Sequence, residues 1–139
     1  MLMQFSFKNF KAFKEEVLLD FLPASINEHK NTLLKDPADG ERILPLIGIY
    51  GPNSSGKSTV LDALSCLSSL VTASVTVPTR IRDMHCLFSA DCKDIPTQFD
   101  VLFRSQGFLF RYQLQFSTGT IAEENLFYGS LGGRDRKSV

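Results

Sequence analysis

The chain has 139 residues, 43% hydrophobic and 22% charged, with a formal net charge of zero. This is the size and composition of one globular domain, neither disordered nor membrane-like, and no apolar run approaches the roughly 20 residues that span a bilayer. The balanced charge offers no electrostatic case for binding nucleic acid with the chain as a whole.

The N-terminal stretch alternates. Phe5 and Phe7 are interleaved with Gln4, Ser6 and Lys8, and Val17, Leu19 and Phe21 with Glu16, Leu18 and Asp20. Period-2 alternation predicts two strands forming a β-hairpin over 1–22, with Asn9–Glu15 as the connection. Residues 23–43 are polar, carry Pro23, Pro37 and the Asp39-Gly40 turn signal, and are expected to form a long loop with a short helical turn at most. Leu46-Ile47-Gly48-Ile49-Tyr50 shows no polar alternation, the pattern of a strand buried on both faces. Val60, Ala63, Leu64, Leu67 and Val71 then recur at helical spacing, which predicts a helix from Lys57 to about Ala73. Residues 80–94 carry no clear period.

Over 97–128 alternation returns. Phe99, Val101 and Phe103 share a face, as do Phe108, Phe110, Tyr112, Leu114 and Phe116, and Ile121–Tyr128 makes a third strand. An antiparallel meander with one apolar face follows, its aromatics packing a core rather than stacking on bases. Residues 129–139 read as a flexible tail. Cys66 falls in the helical apolar run and should be a small buried thiol. Cys86 and Cys92 lack the spacing of a structural zinc site, and the odd cysteine count with no leader-like N-terminus leads to the expectation of a reducing cytoplasm.

Chemistry concentrates in one place. Gly51, Gly56, Lys57 and Ser58 satisfy G-x-x-x-x-G-K-[ST], a phosphate-binding loop, between a predicted strand and a predicted helix. Gly51 should allow a sharp turn with unusual dihedrals. The backbone from Asn53 to Ser58 can form an anion nest, extended by the positive end of the helix dipole. Gly56 permits close approach of phosphate, Lys57 should reach the β- and γ-phosphates, the Ser58 hydroxyl should ligate Mg²⁺, and Thr59 should contact the α-phosphate. The whole stretch Gly51, Pro52, Asn53, Ser54, Ser55, Gly56, Lys57, Ser58 and Thr59 is therefore the expected nucleotide site. At Ser54 a side chain is tolerable provided its backbone dihedral is unstrained. No N-K-x-D for guanine occurs, and no acid near the loop marks a small-molecule phosphotransferase.

FSFKNFKAFKE, followed after the loop by LPLIGIYGPNSSGKSTVLDALS, resembles the N-terminal lobe of ABC-type ATPases of the SMC/RecF/OLD kind, found among prokaryotic AAA family ATP-binding proteins. IAEENLFY is similar to the segment of that family where a strand leads into E-x-L. The resemblance implies an α/β P-loop NTPase lobe with an antiparallel meander and an incomplete core sheet. It implies ATP and Mg²⁺ as ligands, and two heads that sandwich ATP, as a homodimer or with a partner chain. DNA enters as a partner by family analogy alone, in repair or phage defence. It makes Lys11 of the N-F-K segment a candidate phosphate or base contact, with a solvated turn lysine as the alternative. Arg80 or Arg82 is the corresponding candidate for the γ-phosphate.

The chain departs from that family as well. After the loop there is no apolar run ending in Asp-Glu, SLGGR at 130–134 has the letters of the LSGGQ signature in the wrong order, Gln98 opens a strand, and His29 and His85 lie too early for a switch histidine. The expectation is a nucleotide-binding half without catalytic residues, either a fragment or a truncated paralogue. The alternative is a non-catalytic nucleotide-binding interaction module that pairs with another chain.

Overall fold

The computed structural model describes residues 1–25, 28–73 and 84–131. Its centre is a five-stranded antiparallel sheet. Strands β1 (Leu2–Lys8) and β2 (Val17–Asp20) form the expected hairpin, and β5 (Thr97–Ser105), β6 (Phe108–Ser117) and β7 (Thr120–Ser130) form the meander. The two units are continuous, because β1 also pairs with β5, with Phe5 opposite Val101 and Phe7 opposite Phe99, giving the order β2-β1-β5-β6-β7. Each local hairpin was legible in the chain; the long-range β1–β5 pairing was not. The β5–β6 turn uses Gln106 and Gly107, both at positive φ (51° and 81°), the two-residue geometry that matches strand twist. Gly129 and Ser130 belong to β7 rather than to a tail, and the Leu131 amide donates to the Gly107 carbonyl. Residues 132–139, with most of SLGGR, lie outside the described residues.

Helix α1 (Lys57–Ala73) has the expected bounds. Its Val60, Ala63 and Leu67 enter one core cluster with Phe5, Phe7, Phe10, Phe99, Val101, Leu114 and Phe116. Burying Val60 and Leu67 contributes about 2 kcal/mol each. The cluster covers only part of the apolar sheet face, so Leu114 and Phe116 are buried whereas Phe108, Leu126 and Tyr128 at the other end are exposed. Cys66 is half-buried rather than buried, its Sγ 3.3 Å from Met84 Sδ, while Cys86 and Cys92 are buried. Among the described residues no helix is long and apolar enough to cross a membrane.

Two expectations fail. Residues 44–50 do not form a strand buried on both faces: Leu46 is 79% and Tyr50 94% exposed. Residues 45–50 make no backbone–backbone hydrogen bond among the described residues. The apolar run has no paired strand among the described residues. The 23–43 segment is also more ordered than a loop. It holds a 3₁₀ turn at Lys30–Thr32 and a small hairpin of β3 (Leu34–Lys35) and β4 (Arg42–Ile43).

Arg104 fixes that small hairpin. Its side chain is buried, and Nη1 donates to both carboxylate oxygens of Asp39 (2.7 and 2.8 Å) and to Asp36 (3.4 Å), while Nε faces Met3 Sδ. The Asp39 carboxyl is held below its ordinary 3.8 by the Glu41 amide and by Arg104. Removing the guanidinium leaves a nearly buried Asp36 unpaired, so Arg104→Ala should lower unfolding stability by about 3 kcal/mol in denaturant titration. Because the folded-state pKa of Asp39 is depressed, its contribution is complete above 3.8 and disappears as pH falls through the lower folded value. Asp39→Asn should therefore flatten the acid limb of a stability–pH curve below pH 3.8.

Candidate functional site

The strand-less run ending at Tyr50 leads into the loop 51–56, and α1 begins at Lys57. The residues Asn53, Ser54, Ser55, Gly56, Lys57, Ser58 and Thr59, with Ala12 from the β1–β2 connection, line one cleft of about 310 Å³. Seven of the expected loop residues thus come together. Gly51 and Pro52 are not among its lining residues and act through their carbonyls: Lys57 Nζ donates to Gly51 O (2.8 Å) and Pro52 O (2.5 Å), folding the ammonium back across the loop.

The loop's amides are arranged for an anion. The Ser55 amide makes a long bond to Pro52 O (3.4 Å), and Thr59 and Val60 donate to Gly56 O. Those of Asn53, Ser54, Gly56, Lys57 and Ser58 donate to no protein acceptor among the described residues. Unpaired donors at a helix start, with no acidic residue in the first turn, fit a phosphate chain. A nucleotide would lie along these amides and displace the Lys57 ammonium from the carbonyls, and the Ser58 hydroxyl on the first turn would serve its Mg²⁺. Such an ion would supply charge neutralisation for the phosphates.

Backbone geometry corrects two expectations. Gly51 is not the residue with the unusual dihedral; the positive φ values are at Ser54 (63°) and Gly56 (89°). Gly51 instead lies close to Ser55: a Cβ there would meet Ser55 Oγ at 2.9 Å, and that hydroxyl would have to rotate away. Ser54 does not satisfy the condition of an unstrained dihedral, because left-handed backbone costs a non-glycine residue about 1–2 kcal/mol. Gly56 is fixed twice over, by its φ and by the ring of Phe13, whose Cζ would lie 2.6 Å from an added Cβ.

Lys11 lies outside the cleft lining. Its Nζ is 2.7 Å from Asp62 Oδ2 on α1 and 5.6 Å from the Phe10 ring centroid. Asp62 follows Ser58 by one helical turn, and sequence reading missed it; its i+4 spacing from Ser58, the residue expected to serve Mg²⁺, was the available signal. Cys66 nearby is pushed up to about 11 by burial, against the pull of the Lys11 charge, so it stays a thiol at neutral pH. Arg80 and Arg82 lie outside the described residues.

Asn9 was expected only as part of the N-F-K segment, yet it organises the surroundings. Its buried amide donates to Cys92 O (2.8 Å) and Ile95 O (2.7 Å) and accepts from the Cys86 amide (3.0 Å). The segment 84–95, with its 3₁₀ turn Ala90–Asp94, is thereby held against the hairpin. A search of family models matches residues 46–137 to “AAA domain, putative AbiEii toxin, Type IV TA system”. No curated protein matches the chain.

Replacing Ser54 with glycine removes the left-handed penalty and returns part of it as unfolded-state entropy. Ser54→Gly should stabilise the protein by roughly 0.5–1 kcal/mol in denaturant titration. An unchanged or lowered midpoint would contradict the strained geometry.

Proposed function

The chain belongs to that AAA domain family, and from this premise we propose that it binds ATP with Mg²⁺ at 51–59 as one half of an SMC/RecF/OLD-like ATPase head. P-loop nucleotide binding is the family's common ground; ATP, the half-head arrangement and a role in DNA repair or phage defence are the finer reading. One observation carries it: five amides of the loop and the helix start, on residues that line one cleft with Lys57 and Ser58 among them, have no protein acceptor among the described residues. Hydrolysis needs an acid to help hold Mg²⁺ and a group to orient water. Among the described residues, those lining the cleft include neither an aspartate nor a glutamate. The proposed chain therefore binds nucleotide and requires residues from elsewhere to cut it.

Calorimetric titration of MgATP should give a one-to-one isotherm, and Lys57→Ala should weaken it by tenfold or more, about 1.4 kcal/mol or above. Turnover by the chain alone should be absent. ATP hydrolysis that Lys57→Ala abolishes would contradict the division of labour.

A second reading is favoured by the exposed, unpaired apolar segment before the loop. Leu46 and Tyr50 are exposed beside a backbone that has no sheet partner among the described residues. An unpaired extended edge is a template for another strand. We propose that strands from further along the same polypeptide or from a partner chain pair with 45–50 and complete the core sheet, with or without catalysis. The chain should self-associate or aggregate with concentration in light scattering; a stable monomer at high concentration would contradict this reading.

A further inference from the structure

We infer that Phe13 is a positioning residue for the phosphate loop, holding Gly56 in its left-handed conformation from a rigid strut built on the β1–β2 connection. The inference rests on the nucleotide-binding reading of 51–59 and adds to it the residue that keeps the nest open.

The contact is direct. Phe13 Cζ and Cε2 lie 2.6 and 2.8 Å from where a Gly56 Cβ would stand. The ring edge thus occupies the one volume that glycine leaves vacant, on the residue whose φ is +89°. If Gly56 rotated toward an ordinary dihedral, the direction of its own N–H and of the following amides would change with it.

The base of the strut is fixed on three sides. Phe10 and Phe13 exchange both backbone hydrogen bonds (2.8 and 2.9 Å), closing a tight turn. The Phe13 ring stands edge-on to Phe7 at 5.6 Å, and Phe7 is part of the buried cluster. The Lys11 backbone is gripped by the Met84 carbonyl (2.9 Å) and the Leu87 amide (3.1 Å), and its ammonium by Asp62 of α1. Two residues of the turn, Asn9 and Lys11, are held at φ 52° and 48°. Left-handed backbone at two non-glycine positions so close together persists only where the surroundings over-determine it, and such strain clusters at ligand clamps. Here the result is that Ala12 lines the cleft and Phe13 rests on its glycine.

A plain core role and a positioning role differ in one substitution. Phe13 is half-buried, so tyrosine would satisfy a residue that only fills space. Phe13→Tyr, however, adds a hydroxyl at Cζ, the atom nearest Gly56. MgATP and inorganic pyrophosphate binding should be measured by calorimetry on the whole chain, for the parent and for Phe13→Tyr and Phe13→Leu, with unfolding midpoints and the Gly56 amide resonance recorded alongside. The expected result is roughly tenfold weaker binding of both ligands to Phe13→Tyr, with an unfolding midpoint equal to the parent's. Phe13→Leu keeps apolar contact with Phe7 but not the reach, and should weaken binding less, while moving the Gly56 amide by loss of the ring current. If Phe13→Tyr proves unstable, Phe13→Leu decides by the same two readouts. Binding by the variants equal to the parent's overturns the positioning role alone; no binding by the parent overturns the nucleotide reading on which it rests.

Discussion

Everything distinctive about the site depends on one backbone conformation, the left-handed Gly56 beneath an aromatic edge. A phosphate nest works only if its amides converge before the ligand arrives, because reorganising them on binding would consume the interaction. In this chain the proposed support comes from the side. The hairpin turn is held by Asn9 and Phe10, and Phe13 projects from it onto Gly56, whose φ is +89°. α1 begins at the next residue, Lys57.

The same sheet supplies the rigidity. The Phe5, Phe7 and Phe99 side chains form the floor on which Val60, Ala63 and Leu67 seat the helix. Arg104 at the other end ties β5 to the Asp36–Asp39 turn. Packed antiparallel sheet therefore stands behind the loop, while the segment that precedes it, 45–50, pairs with no strand among the described residues. The loop is thus backed by packed sheet, and the run that precedes it is exposed. The proposal that cutting requires residues from elsewhere rests on the lack of a carboxylate among the described residues lining the cleft.

Local patterns in the sequence were faithful to local structure. Alternation at Phe5/Phe7 and over 97–128 gave strands, and 3.6-residue spacing gave α1 from Lys57 to Ala73. The pattern at 46–50 was misleading because an unbroken apolar run reports a need for burial, not its fulfilment. The β1–β5 pairing, the Arg104 cluster and the Asn9 bracket span separations of 65 residues or more, and single-sequence periodicity carries no information at that range. At the site, the G-x-x-x-x-G-K-S spacing marked residues that line one cleft, but not which of them carry the strained backbone. Ser54 shows why: its dihedral is set by the loop's closure, not by its own preference.

The central claim is that phosphate binds along the amides of 53–58. Amide chemical shifts of the whole chain, followed by NMR as MgATP is added, test it most directly. The account predicts the largest shifts at Asn53, Ser54, Gly56, Lys57 and Ser58, smaller ones at Ala12 and Phe13, and little change along β6 and β7. Saturable shifts centred elsewhere on the sheet, with 53–58 unmoved, would contradict it.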